Sequence, residues 1–117
     1  MPELPEVETT KASLAPLLGQ TVQHVSIYQP SLRWPIPADL SRLQGQTLQS
    51  LNRRAKYIVA QFDQDTLLMH LGMSGSFALL PANDARRKHD HLCMDFDSTQ
   101  LRYHDPRRFG SILWLHE

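Results

Sequence analysis

From Thr21 onward the chain is a succession of short apolar runs separated by polar breaks too brief for crossover helices, and this spacing constrains the fold more than any other feature. Val22, Val25 and Ile27 open the series. Residues 57–62, 66–71, 76–80, 91–97, 100–104 and 111–115 continue it, rich in the branched and aromatic side chains that suit a pleated sheet. The breaks at 63–65 and 97–99 have hairpin length, while 30–37 and 81–88 are longer loops with prolines or charges. Strands joined in this way pair antiparallel and stack as a sandwich or close as a barrel. Residues 40–51 fit a short helix and a strand equally well. Ahead of the series, Leu4, Val7, Leu14, Leu17 and Leu18 recur at helical spacing behind Pro5 and a group of acids, with Gly19 as the stop. Pro16 would sit badly inside such a helix, which therefore kinks there or ends a turn early. The expected class is α+β, one N-terminal helix packed on a mostly antiparallel β-sandwich.

At 117 residues the chain has room for one domain. It contains no apolar run of membrane-spanning length, and its first residues lack the basic and apolar regions of a signal peptide, so a cytoplasmic address is expected. Its single cysteine, Cys93, precludes an internal disulfide and a multi-cysteine zinc site within these residues. Twelve basic residues balance twelve acidic ones, which argues against indiscriminate coating of nucleic acid. The bases are nonetheless grouped at 53–56, 86–89 and 102–108, either as parts of one phosphate-binding surface or as three solvated loops.

Several residues have chemistry to offer. Removal of Met1 would expose the secondary amine of Pro2, and an α-amino group titrates near about 7.7–8.0, so part of it is nucleophilic at neutral pH. Attack on a sugar C1′ would give an iminium, with Glu3 placed to move protons; a stiffened helix start is the plainer reading of the same residues. Lys56 ends a basic cluster that runs into a strand and has the chemistry of a phosphate ligand or proton donor. Met73 lies on a glycine-flanked turn after His70. Arg107 and Phe109 lie on a second turn, and together these side chains form a probe able to fill and prop open a base stack. Packing beneath the two turns is the ordinary alternative. His89, His91 and Cys93 would share one face of a regular strand and begin a metal site with His104 or Asp105. Alternation instead assigns Leu92, Met94 and Phe96 to the core and leaves the histidine face partly exposed beside 86–88, which favours a phosphate contact at His89 over a metal.

Six ordered motifs span the chain: MPELPEVET at 1–9, LRWP at 32–35, RRAKY at 53–57, HLGMSGS at 70–76, KHDH at 88–91 and YHDPRRFG at 103–110. Jointly they resemble the formamidopyrimidine-DNA glycosylases, bacterial base-excision repair enzymes acting on 8-oxoguanine and ring-opened purines. The leucine of MPELPEVET is similar to the oxidised-purine branch, where the related endonuclease VIII branch usually has glycine. The resemblance implies Pro2 as Schiff-base nucleophile, Glu3 as proton donor for base release and Lys56 as proton donor for β-elimination. It also implies DNA contacts by His89, Arg107 and His70, with Met73, Arg107 and Phe109 filling the space left by a flipped nucleotide. The implied partner is damaged double-stranded DNA bound by a monomer, at the bacterial nucleoid and away from membranes. Residues 1–117 would be the N-terminal catalytic domain alone. The family's helix-two-turn-helix domain and four-cysteine zinc finger are not among them, so no cofactor is expected here and zinc would belong to the missing part. The competing readings are a noncatalytic DNA-binding or protein-interaction module and an oxidised-pyrimidine glycosylase of the endonuclease VIII branch.

Overall fold

A computed structural model describes residues 4–116; Pro2 and Glu3 lie outside the described residues. The helix α1 spans Leu4–Ser13, and a single 3₁₀ turn, Ala15–Leu17, follows it. Helix geometry thus stops three residues before Pro16, whose ring and missing N–H would disrupt the next turn. The chain then turns at Gly19, which adopts φ +82°, a left-handed conformation that glycine reaches without a Cβ clash.

Eight strands follow: β1 His24–Ile27, β2 Leu48–Arg54, β3 Tyr57–Phe62, β4 Thr66–His70, β5 Ser76–Leu80, β6 Asp90–Asp95, β7 Gln100–His104 and β8 Ser111–Leu115. They form two four-stranded sheets, the first ordered β2-β3-β4-β8 and the second β1-β6-β7-β5, with every pairing antiparallel. The expected helix-plus-sandwich architecture is the observed one. Ile58, Leu67 and Ile112 of one sheet face the same core as Leu92, Met94, Leu101 and Tyr103 of the other, and Val7, Leu14 and Leu17 join it from the N-terminal segment. Burying each such aliphatic side chain contributes about 1.5–3 kcal/mol, so the two apolar faces hold the layers together.

The ambiguous stretch 40–51 contains both alternatives. A 3₁₀ turn covers Leu40–Leu43, Gly45 reverses the chain at φ +89°, and β2 begins at Leu48. Gln46, buried beside this reversal, accepts hydrogen bonds from the backbone of Gln64 and Asp65 and donates to Asp65 Oδ2 at 2.8 Å. One amide thereby fixes the β3–β4 turn to the start of β2.

The second sheet departs from simple alternation. A bulge between Asp90 and Leu92 breaks the register of β6 against β7, so Asp90 and Cys93 lie over His104 and Arg102 while His91 turns away. His91 and Cys93 are buried, 5% and 3% exposed, which corrects the partly exposed histidine face expected from sequence. His91 is held against the 105–110 turn through the Asp105 carbonyl, and the 81–88 loop lies over Arg102, the register partner of Cys93. Arg102, 1% exposed, donates to the carbonyls of Ala85 and Asp84 at 2.9 and 2.6 Å and clasps that loop against the sheet. Arg102 is consequently a structural cation and takes no part in an outer basic surface.

Candidate nucleic-acid interface

Two turns rise side by side from the end of the sandwich. One, residues 71–75, follows β4; the other, residues 105–110, follows β7. Gly72 has φ +63°, and a Cβ there would fall 2.5 Å from the carbonyl carbon of Phe109, so the two turns touch backbone to backbone. Gly110 is packed as tightly, since a Cβ would overlap the Tyr103 hydroxyl at 1.7 Å.

Asp105 organises the pair from within. Fully buried, it accepts Ser74 Oγ at 2.7 Å and the Arg108 amide at 3.1 Å on Oδ1, and Tyr103 Oη at 2.8 Å and the Gly110 amide at 2.9 Å on Oδ2. Burial, followed by the bond to Asp105, raises the Tyr103 phenol far above its ordinary pKa, so it remains a donor throughout the physiological range. Arg108 is held at φ 59°, outside the preferred region of an L-residue. The side chains at the tips are then outward: Met73 is 50% exposed and Phe109 43%, with the Arg107 guanidinium 4.9 Å from the Phe109 ring centre. Such exposure of large apolar side chains at neighbouring tips is unusual in a surface with nothing to contact.

Beside the tips is a cleft of about 450 Å³ bounded by Arg33, Trp34, Tyr57, His70, Met73 and Phe109. Phe109 also borders a second cleft, of about 420 Å³, that it shares with Arg107. Arg33 donates its amide to the Gly110 carbonyl, which attaches the 30–37 loop to the tip. The Tyr57 ring meets His70 edge-on at 4.9 Å, and His70 Nδ1 accepts the Gly72 amide at 2.9 Å. Accepting that bond leaves the imidazole proton on Nε2, a donor to a ligand. Burial and then the charges of Lys56 and Arg33 lower the His70 pKa, so the ring is neutral near pH 7. Sequence reasoning placed Arg33 and Trp34 within a motif but gave them no role, and it gave none to Tyr57; their signal was the exposure of their rings and charges, which only the folded loop reveals.

Lys56 occupies the β2–β3 turn, where Ala55 takes φ 52°. The Arg53 guanidinium spans the gap to the helix, pairing with Glu8 of α1 and donating to the Ala55 carbonyl at 3.0 Å. The helix that starts at Leu4, immediately after Pro2 and Glu3 in sequence, is in this way fastened to the turn bearing Lys56. His89 stands apart from the cleft at φ 71°, its carbonyl accepting the Asp105 amide and its ring 6.0 and 6.1 Å from those of His91 and His104. Burial, then Lys88 and the neighbouring histidines, lower its pKa. The candidate site residues thus fall into three places: the tips and cleft, the Lys56 turn, and the loop before β6.

The metal alternative does not fit these residues. His91 Nε2 is engaged by the Asp105 carbonyl at 2.6 Å, and burial pushes the Cys93 thiol up, away from the thiolate a metal needs. Among the described residues no group of three or more His, Cys, Asp or Glu side chains is placed to hold an ion. Nor is any described helix long and apolar enough to cross a membrane.

One N-terminal helix on an antiparallel sandwich is a fold this chain shares with solved structures of a DNA-bound Fpg. The structure superposes on Lactococcus lactis Fpg in complex with DNA containing an abasic site, with a TM-score of 0.90 and 35% identity over 97% of this chain and 44% of that one. It superposes equally well, at 36% identity and the same coverage, on the wild-type L. lactis Fpg bound to DNA containing N7-benzyl-Fapy-dG. The sequence profile of the formamidopyrimidine-DNA glycosylase N-terminal domain matches residues 1–112, and the chain belongs to that family. The formamidopyrimidine-DNA glycosylases of Acinetobacter baumannii and Acinetobacter baylyi are 66% and 65% identical to it over 99% and 100% of its length. It spans about two fifths of those relatives, 42% and 43%.

Proposed function

We propose that this chain carries the nucleophile-bearing and lesion-probing part of a bifunctional DNA glycosylase and abasic-site lyase that removes oxidised purines, 8-oxoguanine and formamidopyrimidines, from double-stranded DNA. The observation that carries this reading is the pair of exposed tips, Met73 and Phe109, locked together beside a cleft with the neutral His70 at its wall. Extruding a nucleotide leaves a gap in the stack, and rigid apolar side chains with an adjacent guanidinium fill it. Arg107 would take the hydrogen bonds of the orphaned partner base, while His70 and His89 would hold phosphates.

In the chemistry proposed for Pro2, its amine attacks C1′ and displaces the damaged base, which leaves with a proton from Glu3. The amine then loses its proton and the sugar ring opens, the C1′–O4′ bond breaking as O4′ takes up a proton, to give an iminium that acidifies the C2′ proton; loss of that proton expels the 3′ phosphate, with Lys56 serving as proton donor for this β-elimination. The Arg53 bridge between α1 and the Lys56 turn supports this assignment, because it fixes the helix start relative to the lysine. Residues 1–117 act, in this reading, as the N-terminal catalytic domain of a monomeric enzyme of the bacterial cytoplasm, working at the nucleoid. They require no cofactor of their own, and zinc belongs to the finger domain of family members.

Borohydride trapping on a duplex with an abasic site tests the proposal. The adduct is expected to map to Pro2 and to disappear when Met1 is retained or the terminus is acetylated. Lys56→Ala is expected to slow strand cleavage more than trapping. Equal trapping with a blocked terminus would refute the Pro2 assignment.

A further inference from the structure

The 86–89 loop contains an arrangement that the wedge and the nucleophile leave unused. The Arg86 guanidinium lies 4.2 Å from the centre of the Tyr28 ring, close enough for a cation–π contact, and its Nη1 donates to the Asp90 carbonyl at 2.8 Å. Tyr28 is itself fixed at the edge of the second sheet, its amide donating to the His91 carbonyl at 2.8 Å, yet it is 53% exposed. Arg87, by contrast, is committed inward. Its side chain donates to both oxygens of the buried Asp90, which also receives the Arg87 amide and His104 Nδ1.

The loop's charges are therefore sorted. Arg87 is neutralised by Asp90, whereas among the described residues Arg86 and Lys88 have no ion-pair partner and both are exposed. A carbonyl orients the Arg86 guanidinium without cancelling its charge, and the Tyr28 ring lies against it, so the remaining N–H groups are preorganised for a pair of oxygens on one anionic centre, such as the non-bridging oxygens of a phosphodiester. The Tyr28 hydroxyl adds a neutral donor at the same spot. His89 is the next residue after Lys88.

We infer that Tyr28 and Arg86, with the charge of Lys88 on the same loop, form a second phosphate-binding station, which grips the DNA backbone where the strand runs on beyond His89. The inference rests on the DNA-binding reading above and extends it to a loop that lines neither cleft at the tips. The ligand is the phosphodiester backbone, read without regard to base or damage. Charge complementarity and continuity with His89 select it over an apolar partner.

The test is anisotropy binding of the chain to duplexes bearing a tetrahydrofuran abasic-site analogue, compared with undamaged duplexes, across a salt series. Arg86→Ala is expected to weaken binding to both duplexes by a similar factor, roughly three- to tenfold, and to flatten the plot of log K against log salt by about one unit. Tyr28→Phe keeps the stacked ring and loses only the hydroxyl, and is expected to have a smaller effect; Tyr28→Leu approaches Arg86→Ala. Shortening the duplex from one end should abolish the difference between wild type and Arg86→Ala, while shortening it from the other should not. Thermal melting of each variant separates a folding defect from a lost contact, and Tyr28→Phe remains informative if Arg86→Ala unfolds. Met73→Ala and Arg107→Ala report on the parent reading. If these weaken binding to the abasic analogue while Arg86 and Tyr28 variants match wild type at every length, the second station is refuted alone. If the chain does not bind DNA, or these two variants change nothing, both readings fall.

Discussion

Asp105 is buried with four hydrogen-bond donors around two oxygens, and each oxygen faces one backbone amide as well as one hydroxyl. A hydroxyl can rotate to accept, but an amide N–H cannot. Asp105→Asn must therefore turn its NH₂ toward either the Arg108 or the Gly110 amide, whichever way it is flipped. Leaving one buried donor unpaired is expected to cost about 1–3 kcal/mol, measurable by chemical denaturation, even though size and shape are conserved. His70 makes a pH-dependent contribution of the opposite chemical kind. Its folded pKa is lowered, first by burial and then by Lys56 and Arg33, so the unfolded chain binds the proton more readily. The stabilising effect of a neutral His70 is complete above its ordinary value of 6.5 and diminishes as pH falls from there through the lower folded pKa. An NMR titration should place the His70 midpoint below 6.5, and His70→Gln should flatten the stability profile over that window.

At the scale of elements, the second sheet depends on a loop that looks dispensable in sequence. Arg102 donates to the Asp84 and Ala85 carbonyls and to Gln100 Oε1 and lies 3.9 Å from Asp90, so its removal would unfasten the loop from the sheet while Arg87 and His104 still hold the Asp90 carboxylate. Arg102→Met is expected to destabilise the domain by about 1–3 kcal/mol through these lost hydrogen bonds and to release the 81–88 loop. Cys93, 3% exposed beneath that loop, should then react with a thiol reagent under native conditions, where the wild-type thiol should not. Alternation and turn chemistry were enough to find the strands and the truncated helix, because Val, Ile and proline act through neighbours close in the chain. The burial of Arg102 and the inversion of His91 depend on a bulge and on a loop returning from elsewhere, and neither leaves a local periodic trace. The stretch 40–51 was unreadable for a related reason: Gln46 serves a turn nearly twenty residues away. Met73, Arg107 and Phe109 were legible as tips because glycine and proline mark their turns, while Tyr57 and Trp34 became cleft walls only through pairing with distant segments.

For the whole molecule, the zero net charge and the separation of its bases into three places predict weak, strongly salt-dependent association with abasic or lesion-bearing DNA. Arg107→Ala and His89→Ala should each lower affinity, and tight binding indifferent to salt and to both changes would contradict the prediction. Met73→Ala and Phe109→Ala should leave the melting temperature nearly unchanged, since surface truncations outside packed regions usually stay within about 0.5 kcal/mol, while selectivity for the abasic analogue over intact duplex falls. How the tips would reach a base stack, under the proposed function, follows from their mounting. Gly72 and Gly110 bring two distant stretches of chain into backbone contact, and Asp105 bonds to both. Neither turn has the slack to swing by itself, so Met73 and Phe109 advance as a single fixed tooth. Under the proposed function, the bending and opening that expose a lesion would then fall to the duplex as it is pressed against this tooth, and damaged or mispaired steps, being the softest, would yield first.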